Sequence, residues 1–306
     1  MYDINALKAF CAEAGCEMLE NEPMSRHTTF KIGGPAQLMA LPSSAGLLRA
    51  LLLRCRELAI PVTVVGRGSN LLVSDGGIEG CVVCLGQRFS QLRREDGLIV
   101  CSAGTSLTEL CRFALANSLT GLEFAYGIPG SVGGAVYMNA GAYGGELKDV
   151  IAYVRHLTPD GELVTLKASE LGFGYRRSIY STLPGCVIVE AGFRLGTGDA
   201  AAIRARMDEL MERRRSKQPV ELPSAGSVFK RPEGAFAGEL IERCGLKGRA
   251  CGGAAVSKKH AGFIVNTGGA TCRDVEALVG LIQSEVREKT GFELECEIKR
   301  TGKTGQ

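Results

Sequence analysis

Apolar positions recur near helical spacing at Ile4, Leu7, Phe10, Cys11, Ala14 and Leu19, which predicts an amphipathic helix over residues 3–20. The pattern then switches to short β-like runs. Residues 28–32 and 37–41 read as strands around a Gly33-Gly34-Pro35 turn, and Ser43 or Ser44 opens a helix over 44–58. Pro61 leads into the apolar run Val62–Val65, which ends in Gly66-Arg67-Gly68-Ser69-Asn70. Strands follow at 71–73 and 81–85, separated by Asp75-Gly76-Gly77, and at 98–102. Ser106 and Glu109 make an S-x-x-E capping box for a helix over 107–117.

Past a glycine-dense stretch at 127–145, residues 150–157 and 162–166 predict a hairpin across Thr158-Pro159-Asp160-Gly161. A short helix at 169–172 and an apolar strand at 187–195 come next. The texture changes at Gly196-Thr197-Gly198, where Asp199 caps a long charged helix that ends near Lys217, before Pro219 and Pro223. The last part predicts a helix over 236–244, a strand over 262–266, a helix capped by Thr271 and Asp274, and a final strand over 292–299. This order is α+β, without the strict alternation of a doubly wound sheet. The expected division is an N-terminal helical segment at 1–30, a central region at 31–197 split into two subdomains near 95, and a C-terminal domain at 198–306.

Composition changes this picture in three ways. The 41 glycines in 306 residues are about twice the usual ~7% share, and the run Gly127-Ile128-Pro129-Gly130-Ser131-Val132-Gly133-Gly134 concentrates them. Glycine costs conformational entropy, so such a run implies exposed peptide N–H groups beside an anionic or planar ligand, or else a plain surface loop. A net charge of +3 suits an anionic small molecule and is too small to imply nucleic acid or a membrane surface. The N-terminus lacks a signal-peptide pattern and no apolar run approaches the ~18 residues of a membrane span, so a cytoplasmic protein is expected, with a monomer as the default. The twelve cysteines are scattered through apolar segments and read as reduced and buried.

Gly66-x-Gly68 begins like a dinucleotide fingerprint, but Leu71 stands where the third glycine belongs and a strand-like run follows, which excludes a Rossmann site. Cys81 and Cys84 have zinc-like spacing on a strand, where positions three apart face opposite ways, so no metal is expected. Three polar sites remain. Arg176, in Tyr175-Arg176-Arg177-Ser178, has the planar fork suited to a carboxylate. Ser227 lies between Gly226 and an apolar pair followed by Lys230, and Glu295 and Glu297 alternate on the terminal strand. Each also has an ordinary structural reading.

Taken in order, His27–Gly34 (HTTFKIGG), Gly66–Leu72 (GRGSNLL), Gly127–Gly144, Tyr175–Ser178 (YRRS), Gly226–Lys230 (GSVFK), Lys259–Asn266 (KHAGFIVN) and Leu294–Ile298 (LECEI) resemble the UDP-N-acetylenolpyruvoylglucosamine reductase (MurB) family of peptidoglycan synthesis, over nearly the whole chain. The resemblance implies a two-subdomain FAD-binding region of the vanillyl-alcohol-oxidase (PCMH) type and a C-terminal α+β substrate-binding domain. It implies that NADPH reduces the flavin and that flavin N5 passes hydride to the enol ether of a UDP-sugar. Carried over residue by residue, Gly66, Arg67, Gly68, Ser69 and Asn70, with Gly130, Ser131, Gly133, Gly134, Asn139 and Ala140, match the FAD-holding segments. Ser227 matches the proton donor to C2, Arg176 the cation that stabilises the enolate, and Glu297 the acid that assists. Lys230, Arg177 and His260 match substrate-binding positions. Two departures stand out: Arg231 where the family often has Asn, and Glu297-Ile298-Lys299 where it often has E-V-R. The short link between Arg176 and Ser227 resembles the subtype without a tyrosine-bearing loop over the substrate. Two alternatives keep the same fold: a flavin oxidoreductase for a different small acid, and a non-catalytic nucleotide-sugar-binding module.

Overall fold

A computed structural model describes residues 2–303. In chain order the elements are α1 (Ile4–Glu13), β1 (Glu17–Pro23), β2 (Pro35–Leu41), α2 (Ala45–Glu57), β3 (Val62–Val65), β4 (Leu71–Val73), β5 (Ile78–Cys84), β6 (Leu92–Glu95), β7 (Leu98–Ser102) and α3 (Leu107–Ala116). Next come β8 (Leu119–Thr120), α4 (Val132–Met138), β9 (Gly141–Ala142), β10 (Gly145–Glu146), β11 (Ile151–Leu157), β12 (Leu163–Lys167), β13 (Val187–Phe193) and β14 (Gly196–Thr197). The chain closes with α5 (Ala200–Lys217), β15 (Ser224–Ser227), α6 (Ala237–Arg243), β16 (Ala250–Cys251), β17 (Ala254–Val256), β18 (Phe263–Asn266), α7 (Cys272–Thr290) and β19 (Lys299–Thr301).

These elements gather into two compact units. One draws on residues 2–20, 38–67 and 80–213, the other on 21–37, 68–79 and 214–303. The first is built on a four-stranded sheet of order β1-β2-β5-β3 and an antiparallel five-stranded sheet of order β12-β11-β13-β7-β6. Its core takes the apolar faces of α1, α2 and α3, with Leu7, Leu48, Leu51, Leu107 and Leu110 fully buried beside Phe193. The second unit holds the antiparallel sheet β15-β18-β17-β16 and the parallel pair β4-β19. Val275, Leu278, Ile282 and Val286 recur at three- and four-residue steps along α7, so one stripe of that helix is buried in the second core. All twelve cysteines are free thiols, eight of them buried. Among the described residues no helix is long and apolar enough to cross a membrane.

Four expectations need correction. The helix predicted over 3–20 stops at Glu13, because Gly15 takes the left-handed conformation (φ 65°) and Cys16 N–H closes on Cys11 O at 2.8 Å, a Schellman end. Leu19 therefore lies on β1. Residues 28–32 form a turn and not a strand: Thr28 Oγ1 donates to Ile32 O (3.0 Å) and accepts from Ile32 N–H (3.3 Å), diverting backbone groups that a ladder would need. The run 292–299 is shared between two partners, bridging Phe229 through Cys296 and then joining β4 as β19. The glycine stretch at 127–145 is not open loop throughout; it contains α4 and the hairpin β9-β10.

Asp75 has a clear structural job in the second unit. Its carboxylate accepts from the N–H of Cys272 (2.7 Å) and of Arg273 (3.1 Å), the first residues of α7, where orphan donors and the helix dipole favour an anion. Asp75→Ala is expected to lower unfolding free energy by about 1–2 kcal/mol. A denaturant titration checks this, and an unchanged midpoint would contradict it.

Candidate active site

In the first unit the two glycine-rich segments converge. A Cβ on Gly66 would lie 2.1 Å from Ser131 Oγ and 3.2 Å from its Cβ, so a side chain at 66 would force Ser131 to shift. Ser131 precedes α4 and forms an isolated bridge with Ser106, the N-cap of α3. Leu107 N–H donates to Gly130 O (3.1 Å) and Val132 N–H to Thr105 O (2.8 Å). In that pattern the N–H of Ser131 points away from the strand it bridges. Gly133 N–H is spent on Ala103 O at 2.8 Å. Arg67 lies near the same helix start: Glu109 is held below the usual carboxylate range by hydrogen bonds from the Ser106 hydroxyl and N–H, and the Arg67 charge adds to this.

Asn139 and Ala140 follow α4. Asn139 is left-handed (φ 44°) and buried, and its amide is fully engaged within the chain: Oδ1 accepts from Lys148 N–H (3.0 Å), and Nδ2 donates to Glu146 (3.0 Å) and to Gly174 O (3.1 Å). That last bond reaches the turn carrying Arg176. Gly174 N–H bonds Arg177 O (3.0 Å) and Arg177 N–H bonds Gly174 O (3.3 Å), leaving Tyr175 and Arg176 at the tip. Arg176 has φ 53°, an uncommon and costly backbone state for a residue with a Cβ. Its guanidinium stacks 5.2 Å from the centroid of the Tyr175 ring. Arg177 is exposed.

The second unit brings together the other candidates. A bulge separates Ser224 from Ser227 on β15, an edge strand, and Ser227 pairs with Phe263. The chain after Ser227 then runs beside the terminal segment. Glu297 N–H donates to Val228 O (2.7 Å) and Lys230 N–H to Glu295 O (2.8 Å), which sets Val228 opposite Glu297 and Lys230 opposite Glu295. Lys230 Nζ is salt-bridged to the Glu295 carboxylate. Asn70 ties in the glycine-turn segment: its Nδ2 donates to Glu297 O (3.2 Å) and its carbonyl accepts from Lys299 N–H (2.8 Å). Gly68 and Ser69 precede it, with Gly68 O accepting from Thr29 N–H at 3.3 Å.

His260 is packed edge-on to Phe263, and burial lowers its pKa. Its Nδ1 accepts from Gly262 N–H (3.1 Å), so the neutral ring carries its proton on Nε2.

Residues 36–167 match the model of an FAD binding domain, and 218–301 match that of the UDP-N-acetylenolpyruvoylglucosamine reductase C-terminal domain. The reductase so named from Syntrophomonas wolfei is 49% identical over 282 residues, 92% of this chain and 94% of that protein. That from Geobacillus kaustophilus is 47% identical over 296 residues, 97% and 96% respectively. The crystal structure of the UDP-N-acetylenolpyruvylglucosamine reductase of Thermus caldophilus superposes with a TM-score of 0.78 at 36% identity, covering 93% of this chain and 98% of that one.

An FAD cofactor fits the residues of the first unit: a bare Gly66 packed against Ser131, an outward Ser131 N–H, and the cation of Arg67 near the same helix start. Gly66→Ala is expected to cost about 1–3 kcal/mol through the Ser131 clash and to lower the flavin-to-protein absorbance ratio. Adding Ser131→Gly should restore stability; no loss in the single variant would contradict this close packing. With these matches over almost its entire length, the chain belongs to the UDP-N-acetylenolpyruvoylglucosamine reductase family, whose members are flavoprotein oxidoreductases.

Proposed function

We propose that this protein reduces UDP-N-acetyl-3-O-(1-carboxyvinyl)glucosamine to UDP-N-acetylmuramate at the expense of NADPH, a step of peptidoglycan synthesis. The observation that carries the chemistry is the pairing of the Ser227 segment with the Glu297 segment, through the 2.7 Å bond from Glu297 N–H to Val228 O. It brings the segment that carries the hydroxyl alongside the segment that carries the carboxyl, within one unit.

Bound FAD supplies the hydride transfer, from NADPH to the methylene carbon of the enol ether. The chain's own groups meet the charge this creates. Addition at the methylene carbon leaves C2, which bears the carboxylate, with enolate character. Arg176 holds that carboxylate through two N–H groups and stabilises the added negative charge. Ser227 Oγ–H gives its proton to C2, and Glu297 assists as the nearby acid. Arg177 and Lys230 bring positive charge to an anionic nucleotide sugar, and His260 offers Nε2–H to a substrate acceptor.

The test is turnover with the isolated protein. NADPH consumption should depend on the enolpyruvyl sugar, the product should gain 2 Da, and reaction in deuterium oxide should put one deuteron at C2. Sugar-independent NADPH consumption with no reduced sugar would overturn the reading.

A further inference from the structure

We infer that Glu146 is a positioning residue for Arg176, held in register by the buried Asn139. The inference rests on the role proposed for Arg176 above. It starts from the sequence Asn139-Ala140-Gly141-Ala142-Tyr143-Gly144-Gly145-Glu146. Tyr143 (φ 53°) and Gly144 (φ 87°) are both left-handed, the requirement of a tight two-residue hairpin turn. The turn folds β10 back on β9 and pairs Glu146 with Gly141. A Cβ on Gly141 would lie 2.8 Å from Glu146 Cγ, so the bare glycine gives the glutamate stem its room. The Glu146 carboxylate then receives Asn139 Nδ2 (3.0 Å) and Lys148 Nζ (2.7 Å).

The same Asn139 Nδ2 donates to Gly174 O (3.1 Å), which opens the Arg176 turn, and Ser178 Oγ, just past it, donates to Tyr137 O (2.8 Å). Two bonds thus pin the Arg176 turn to the end of α4, and one of them passes through the atom that also holds Glu146. Lys148 keeps the Glu146 carboxyl below its ordinary pKa, with the Asn139 bond and the Arg176 charge adding to it, so the group that holds the Asn139 amide is an anion at neutral pH. An anion there fixes the Asn139 amide, and through its bond to Gly174 O the turn that aims the guanidinium fork, before a carboxylate substrate arrives.

The test is a double-mutant cycle of Glu146→Gln and Arg176→Lys, read as the anaerobic rate at which the enolpyruvyl sugar reoxidises the reduced holoenzyme. Glu146→Gln should slow that step about tenfold, leave flavin reduction by NADPH and flavin content unchanged, and be partly rescued by Glu146→Asp. In the Arg176→Lys background it should have no further effect, because the fork it orients is gone. Equal slowing in both backgrounds, or none in the wild-type background, would overturn the inference. Should Arg176→Lys itself leave reoxidation unchanged, the role of Arg176 fails first, so the two failures are distinguishable.

Discussion

Ser227→Ala should leave flavin reduction by NADPH at its normal rate and slow reoxidation by the enolpyruvyl sugar by about 10²–10⁴, the usual contribution of a positioned general acid. The hydroxyl is a weak acid in water, so its role depends on its setting. Ser227 is partly buried on the edge strand β15, and the following residue is bonded to Glu297. Low local polarity raises the gain from neutralising an enolate. Removing one oxygen from a half-buried edge position should change unfolding free energy by less than about 1 kcal/mol. Stopped-flow measurement of the two half-reactions separates the outcomes. Equal slowing of both would remove Ser227 from the proton transfer.

Arg176 should show a division between stability and activity. Its backbone is left-handed (φ 53°), which costs a residue with a Cβ roughly 1–2 kcal/mol and glycine almost nothing. Arg176→Gly should therefore unfold no more easily than the parent, with a gain of up to about 1 kcal/mol offset in part by the entropy of the unfolded glycine. Its reoxidation rate should nevertheless fall by at least about 10², the effect of losing preorganised donors to a developing oxyanion. Arg176→Lys keeps the charge and loses the planar fork, so it should recover only a small part of the rate. Near-normal turnover in either variant would contradict a carboxylate clamp. A loss of stability comparable to the loss of rate would make Arg176 a structural residue.

Much of the fold was legible because local signals and tertiary packing agree. The Ser106–Glu109 and Thr271–Asp274 capping boxes both form, and the Thr158–Gly161 turn joins β11 to β12. The misses fall where a side chain or a distant strand took over the backbone. Thr28 captured the hydrogen bonds of residues 28–32, and the segment around Cys296 found its partner at Phe229, which no local periodicity reveals. Gly15 was a visible stop signal that helical spacing at Leu19 masked.

The site follows the same rule. Glycine density marked the stretch that contains Ser131 but did not reveal that Gly66 touches it, a contact between residues far apart in sequence. Asn139 read as a candidate flavin-holding position, and the bonds of its side-chain amide to Lys148, Glu146 and Gly174 were not legible in the sequence. Glu146 itself carried one usable signal: Tyr143-Gly144 allows a hairpin that turns the glutamate back toward Asn139.

The central claim is that this chain reduces the enolpyruvyl sugar through a bound flavin. The most direct measurement mixes the anaerobically reduced holoprotein with that sugar, without NADPH, and follows flavin absorbance. The account predicts full return of the oxidised flavin spectrum with one equivalent of UDP-N-acetylmuramate formed. A flavin that stays reduced in the presence of excess sugar would contradict it.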